Sequence, residues 1–182
     1  VAGVGLLLSA PLLALAALAI RLESPGPIFF RQDRVGRGDR GFRVVKLRSM
    51  RDGAEEESGA VFTCEEDERI TRVGRITRRT HLDELPQLWN VLVGDMSLVG
   101  PRPERPEFVQ MLTDRFPLFR FRSAVKPGVT GWAQVGFGYT DDLAGFEQKL
   151  AMDLFYLKHR SLVLDLVILW KTVKDVMLLR GM

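Results

Sequence analysis

Residues 1–20, VAGVGLLLSAPLLALAALAI, decide what kind of fold this chain adopts. Sixteen of them are hydrophobic, the others are two glycines, Ser9 and Pro11, and none is charged. As a helix the stretch would be about 30 Å long, the thickness of a bilayer's hydrocarbon core. A signal peptide would need a basic start, and no base precedes Arg21. Twenty uncharged residues also exceed what a small domain usually hides as a core helix, so a membrane segment is the expectation. Pro11 removes a backbone donor in mid-segment, which leaves two shapes open: a kinked crossing helix, or a helix-break-helix hairpin. Nine bases against three acids follow between Arg21 and Arg51. That excess puts this flank on the cytoplasmic side and suits anionic headgroups.

The remaining chain is long enough for one folded domain. With 182 residues, 46% hydrophobic and 27% charged, wholesale disorder is excluded. The single cysteine, Cys64, rules out an internal disulfide, and one cysteine with two histidines rules out an ordinary Cys/His zinc site. Any metal would be a hard one held by carboxylates. A net charge of +3 is too small to mark a nucleic-acid partner, and none is expected.

After the Ser24-Pro25-Gly26-Pro27 turn, Ile28–Val35 and Phe42–Arg48 read as two strands. The GRGDRG between them formally matches a dinucleotide fingerprint. Such a loop must open a helix, however, and FRVVKLR alternates like a strand, so a hairpin turn is expected. Asp52–Glu68 holds eight acids and no base, a solvated loop or fraying helix. Arg69, Arg72, Arg75 and Arg79 then recur at helical spacing, either as the wet face of an amphipathic helix or as an anion-binding face.

In THLDELPQLWNVL (80–92), Leu85, Leu88, Trp89 and Leu92 share a helical face, and Pro86 suits a first turn. Asp83 is then expected at or near the N-cap, with Glu84 in the first turn. A cap alone would explain one aspartate. Two adjacent carboxylates behind an arginine-rich helix point further, since an ionised pair supplies both a nucleophile and a hard-metal ligand. Two prolines stiffen the loop around Arg102 in GPRP (100–103), which would fix a guanidinium for phosphate; a structural turn is the plainer alternative. Leu143–Met182 reads as helix with a break near Ser161, its last part an amphipathic helix lying in a membrane interface or, alternatively, a core helix.

The segments GPIFFRQDRVG, FRVVKLRSM, RRTHLDELPQLWNVLVGDMSLVGPRPE and KPGVTGWAQV together resemble the bacterial sugar transferases, the monotopic polyprenyl-phosphate phosphoglycosyl transferases. The ending ILWKTVKDVMLLRG is similar to the large exopolysaccharide subgroup. The resemblance implies an α+β fold: a mostly helical membrane-associated catalytic domain with a small β-hairpin. It implies that residues 1–22 form a re-entrant membrane hairpin broken at Ser9 and Pro11, with 23–182 the catalytic domain on the cytoplasmic face of a bacterial inner membrane. It implies a reaction in which a UDP-sugar gives its phosphosugar to polyprenyl (undecaprenyl) phosphate, releasing UMP, the first membrane step of exopolysaccharide, O-antigen or glycoconjugate assembly. Asp83 would be the nucleophile that carries the phosphosugar, and Glu84 would bind Mg²⁺. Lys46, Arg78 and Arg102 would bind phosphates, with Asp165 a further substrate-site acid. The expected partners are thus UDP-sugar, polyprenyl phosphate and membrane lipids, with homo-oligomerisation left open.

Two other functions fit parts of the sequence. A non-catalytic module binding anionic lipid explains residues 1–51 but not the Asp83-Glu84 pair. A hydrolase would use the same carboxylates with water as acceptor, against which the apolar head and ending argue for a lipid acceptor.

Overall fold

The computed structural model describes residues 1–54, 59, 67–137 and 143–178. Most of the acidic stretch, with Cys64, lies outside the described residues. The apolar head forms one helix, α1 (Ala2–Glu23), which runs through Pro11 without a break. The helix-break-helix expected at Ser9 and Pro11 is therefore corrected to a continuous helix. Its physical basis is that proline costs an interior helix one hydrogen bond, while the surrounding leucines and alanines are the strongest helix formers. Ser9 turns its hydroxyl back onto the Leu6 carbonyl at 3.2 Å rather than opening the chain.

α1 lies along the body of the protein and packs against it near both ends. Near its C-terminus Ala16 and Ile20 share a core with Leu47, flanked by Leu13, Ile28 and Val73. Near its N-terminus a Cβ on Gly5 would sit 3.1 Å from Leu88 Cδ1, and one on Gly3 3.7 Å from Leu92 Cδ2. Those small residues let α1 approach α3 (Gln87–Val93) closely. Leu7, Leu8, Leu15, Leu18 and Leu22 point outward and are exposed. α1 is long and apolar enough to cross a membrane by length and composition.

The end of α1 is tied down twice. The buried Arg48 donates to the carbonyl of Ser24 at 2.9 Å, to the Ser24 hydroxyl at 3.1 Å and to the Pro25 carbonyl. It thereby supplies donors for the chain that leaves the helix. Glu23 accepts from the amides of Arg72 and Val73 at 2.7 and 2.9 Å, and Thr71 Oγ1 accepts from Gly74 N at 2.9 Å. Together they cap α2 (Arg72–Arg79).

The expected hairpin is present. β1 (Phe29–Val35) and β2 (Gly41–Leu47) pair antiparallel, in register from Phe29 opposite Leu47 to Val35 opposite Gly41. The glycine-rich segment between them is a 3₁₀ turn, Arg37–Asp39, in which Gly38 and Asp39 take left-handed backbone (φ 65° and 59°). A second sheet was not foreseen in the sequence: β3 (Ser97–Val99) and β4 (Gly128–Thr130) pair in parallel. Glycine is required where they meet, because a Cβ on Gly128 would lie 2.1 Å from Gly100 N.

Helices cover this pair. α4 (Pro106–Arg115) and a 3₁₀ segment (Pro117–Ala124) join α6 (Leu143–His159) around Leu112, Phe119, Phe146 and Leu150. α5 (Trp132–Phe137) and α7 (Leu162–Met177) close a third cluster around Val99, Tyr156 and Ile168. The break expected near Ser161 is its N-cap, accepting from Leu164 N at 3.2 Å. Ile168 faces the core, whereas Val163, Leu166, Val167, Trp170 and Val173 form an exposed apolar stripe.

Candidate active site

The two adjacent carboxylates sit where three segments converge. Asp83 and Glu84 lie in a separate 3₁₀ turn, Leu82–Glu84, and Pro86 rather than Asp83 is the N-cap residue of α3. This corrects the expected capping role: proline's fixed φ fits the position just outside the helix as well as the first one inside it. The turn opens on His81, whose left-handed backbone (φ 56°) is unusual for a side chain with a Cβ.

Glu84 is held by two cations. Lys46 Nζ, at the end of β2, lies 2.6 Å from its Oε1. Arg102 Nη2 lies 2.7 Å from the same oxygen, and Nη1 lies 3.4 Å from Oε2. Burial alone would raise the Glu84 carboxyl, but Arg102 and Lys46 outweigh it and hold it well below the usual carboxylate range. Asp83 has the opposite environment. It is 7% exposed, and among the described residues no donor hydrogen-bonds its carboxylate. Burial, then the neighbouring Glu84 charge, push it up to about 6 against the pull of Lys46, Arg78 and Arg102.

Of the residues singled out in the sequence, the structure thus brings together Lys46, Asp83, Glu84 and Arg102. Arg78, in the last turn of α2, acts on Asp83 through its charge while its Nε donates to Ser49 Oγ at 2.8 Å. Asp165 is placed otherwise. Its Oδ1 accepts from Tyr156 Oη at 2.8 Å in the corner between α6 and α7, so its polar partner is a core tyrosine. Ser9 and Pro11 lie within α1.

Arg102 sits on a loop whose backbone is held at four consecutive carbonyls. Pro101 O accepts from Gly128 N at 2.9 Å, and Arg102 O accepts from Arg122 Nη2 at 2.9 Å. Pro103 O accepts from Arg34 Nη1 at 3.1 Å, and Glu104 O accepts from Val35 N at 3.0 Å. Pro101 and Pro103 have no N–H to satisfy, so carbonyl donors are the means of fixing this segment. Two of the four donors are side chains, Arg34 from β1 and Arg122 from the 3₁₀ segment, and the Glu104 carboxylate lies 3.8 and 4.0 Å from them. Arg122 is paired in turn with Asp153 of α6, Nε to Oδ2 at 2.7 Å. The sequence reading missed Arg34, Arg122, Asp153 and Glu104. Arg34 lay inside a recognised segment, but nothing in spacing joins Arg122 to a residue 31 positions later.

This geometry suits a phosphorylated, metal-associated substrate. Among the described residues no three His, Cys, Asp or Glu side chains gather as a preformed metal cage. Mg²⁺ commonly takes only one or two carboxylates and completes its shell with water and substrate phosphates, so the hard oxygens of Glu84 fit it. Lys46 and Arg102 now occupy Glu84; phosphate oxygens would give both cations an alternative anion and release the carboxylate.

Known proteins carry the same arrangement of sequence. The model of the family described as bacterial sugar transferase matches residues 1–179. A UDP-N-acetylgalactosamine-undecaprenyl-phosphate N-acetylgalactosaminephosphotransferase of Aeromonas hydrophila is 46% identical over 170 residues, 93% of this chain and 40% of that protein. A UDP-glucose:undecaprenyl-phosphate glucose-1-phosphate transferase of Caulobacter vibrioides is 47% identical over 173 residues, 93% of this chain and 64% of the relative. An exopolysaccharide production protein of Rhizobium leguminosarum is 44% identical over 173 residues, covering 92% of this chain and 86% of its own length. The chain therefore spans less than two thirds of the first two relatives. With a family match over nearly its whole length, this chain belongs to the bacterial sugar transferases.

Proposed function

We propose that this chain transfers sugar 1-phosphate from a UDP-sugar to undecaprenyl phosphate at the cytoplasmic face of the bacterial inner membrane. The observation that carries this reading is the Asp83–Glu84 step, two adjacent carboxylates in opposite electrostatic states beside Lys46 and Arg102. Asp83, hydrogen-bonded to no donor among the described residues, attacks the sugar-bearing phosphorus of the UDP-sugar. The bond from that phosphorus to the bridging oxygen breaks, and UMP leaves with the electron pair. Lys46, Arg78 and Arg102 hold phosphate oxygens and set the leaving group in line. An oxygen of undecaprenyl phosphate then attacks the same phosphorus, which returns Asp83 as a free carboxylate and yields undecaprenyl-diphosphate sugar. Mg²⁺, held by Glu84 and the substrate phosphates, would neutralise diphosphate charge.

The membrane placement rests on α1 and α7. α1 contacts the catalytic body through Gly3 and Gly5 at one end and Ile20 at the other, so it runs beside that body rather than away from it. Its exposed leucines and the apolar stripe of α7 would enter one leaflet, a monotopic insertion in which the chain enters and leaves on the cytoplasmic side.

The test is incubation of the purified protein with individual UDP-sugars, including UDP-glucose and UDP-N-acetylgalactosamine, with and without undecaprenyl phosphate. UMP should form catalytically with the lipid and about stoichiometrically without it, leaving one phosphosugar mass on the peptide containing Asp83. UMP formation only in the presence of lipid, with no adduct, would replace the covalent route by direct transfer. No UMP from any UDP-sugar would refute the activity.

A further inference from the structure

Resting on that proposed activity, the structure assigns a positioning role to Asp153, which acts through Arg122 to hold Arg102 on Glu84. Asp153 is 2% exposed, in the interior of α6, far along the chain from both carboxylates of the candidate site. A buried aspartate is costly unless paired, and its partner here is Arg122 Nε at 2.7 Å. The same guanidinium serves a second partner, its Nη2 donating to the Arg102 carbonyl at 2.9 Å. Arg102 in turn reaches Glu84 with both terminal nitrogens. Three consecutive links therefore join a residue of α6 to the catalytic turn, and every one is a charge-assisted hydrogen bond.

The chain of contacts explains why an arginine is needed at 122. A planar guanidinium presents its Nε and Nη donors in different directions within one rigid plane, so fixing Nε on Asp153 aims Nη2 at the carbonyl. A lysine could pair with Asp153 but has no rigid fork with which to serve the carbonyl as well. The other three held carbonyls of this loop take donors that do not depend on Asp153: Gly128 N, Arg34 Nη1 and Val35 N. Loss of Asp153 should therefore leave the loop attached but free to shift at Arg102. A guanidinium displaced by about 1 Å from a phosphate or carboxylate partner costs on the order of 10²-fold in a reaction that depends on alignment.

Asp153→Asn and Arg122→Lys test this, each made in the otherwise native chain and in an Arg102→Lys background. UMP release from UDP-sugar and undecaprenyl phosphate is measured, with melting temperature and the Arg102 Nε–H resonance recorded alongside. In the native background each variant should lower kcat/KM about 10-fold or more, with the loss mainly in kcat, and move the Arg102 resonance. In the Arg102→Lys background the same changes should cost less than about 2-fold, because the group they position is gone. Equal losses in both backgrounds, an unmoved Arg102 resonance, or wild-type kcat/KM in the folded variants would overturn the proposal. Unfolding of both variants would assign the pair to the fold and overturn it as well. A native chain that releases no UMP refutes the activity instead; the Arg102 resonance still reads the coupling in that case.

Discussion

Replacing Asp83 by asparagine should stabilise the metal-free protein at neutral and alkaline pH while abolishing its activity. The carboxyl is buried beside Glu84, which pushes it from 3.8 up to about 6. In the unfolded chain the group returns to the ordinary value, so the folded state holds the proton more tightly. A group whose folded pKa lies above its unfolded one contributes its full stability below about pH 4 and loses it as pH rises through about 6. At about 1.36 kcal/mol per unit, the gap from 3.8 to about 6 amounts to about 3 kcal/mol. Asparagine is neutral throughout and nearly isosteric, so the unfolding free energy of Asp83→Asn minus that of wild type should grow by about 2–3 kcal/mol between about pH 4 and pH 8. Urea unfolding of both proteins in the same detergent micelles, in buffer containing EDTA, measures it. Groups remote from the site are common to both and cancel in the difference, and Glu84, held well below the usual carboxylate range, stays ionised in both proteins between those pH values. A difference that stays flat across that range, or that shrinks as pH rises, would show that Asp83 is not held in a desolvated, anion-flanked site, and the reasoning fails.

Four further outcomes follow from other parts of the molecule. Lys46→Met removes one of two cations on the buried Glu84 and should cost about 1–3 kcal/mol in urea unfolding, Arg102 retaining the rest, with UMP release falling by orders of magnitude. Gly74→Ala should lower the melting temperature sharply, because its Cβ would lie 1.9 Å from the Ser49 carbonyl oxygen, although alanine is otherwise better than glycine in a helix by about 1 kcal/mol. Chelation with EDTA should stop UMP release and added Mg²⁺ should restore it; full turnover in excess EDTA would remove the metal from the scheme. In a Cys64→Ser background, Val1→Cys should resist a membrane-impermeant maleimide added to intact cells, whereas labelling from outside would establish a crossing helix.

The sequence was most informative where the chemistry is local. The alternation in FRVVKLR pointed to β2, within which Lys46 was singled out only by the family resemblance, and the proline-flanked Arg102 and the Asp83-Glu84 pair were visible as compact segments. Ser161 stood out because a hydroxyl residue interrupts two helical patterns, and it caps α7 as such residues do. What stayed hidden depends on distance or on small energetic margins. β3 and β4 are three residues each, too short for a strand period to show, and their pairing joins Ser97 to Gly128. Pro86 is compatible with either side of a helix boundary, so the turn holding Asp83 was read as part of α3. Pro11 has a local preference for a break, which the helix-forming residues around it override. The salt link from Asp153 to Arg122 joins two helical segments through the core and leaves no trace in spacing.

The division of labour proposed for Asp83 and Glu84 rests on their surroundings rather than on their order in the chain. Adjacent carboxylates repel, so a site that keeps both must separate their energies. Here the separation is made by direction. Glu84 points to Lys46 and Arg102, which hold it ionised and also shield its oxygens, making it a poor attacking group. Asp83 is desolvated and hydrogen-bonded to no described donor, so its charge is concentrated on the two oxygens and its basicity is raised. A carboxylate is a weak nucleophile in water, and loss of hydrogen-bond donors is the change that strengthens it. The same cations that shield Glu84 also act on Asp83 through their charge. In the proposed reaction a diphosphate would draw Lys46 and Arg102 toward itself and so free Glu84 to hold a metal ion. Substrate binding and exposure of the metal ligand would thus be one exchange of ion pairs, with Asp83 unobstructed throughout.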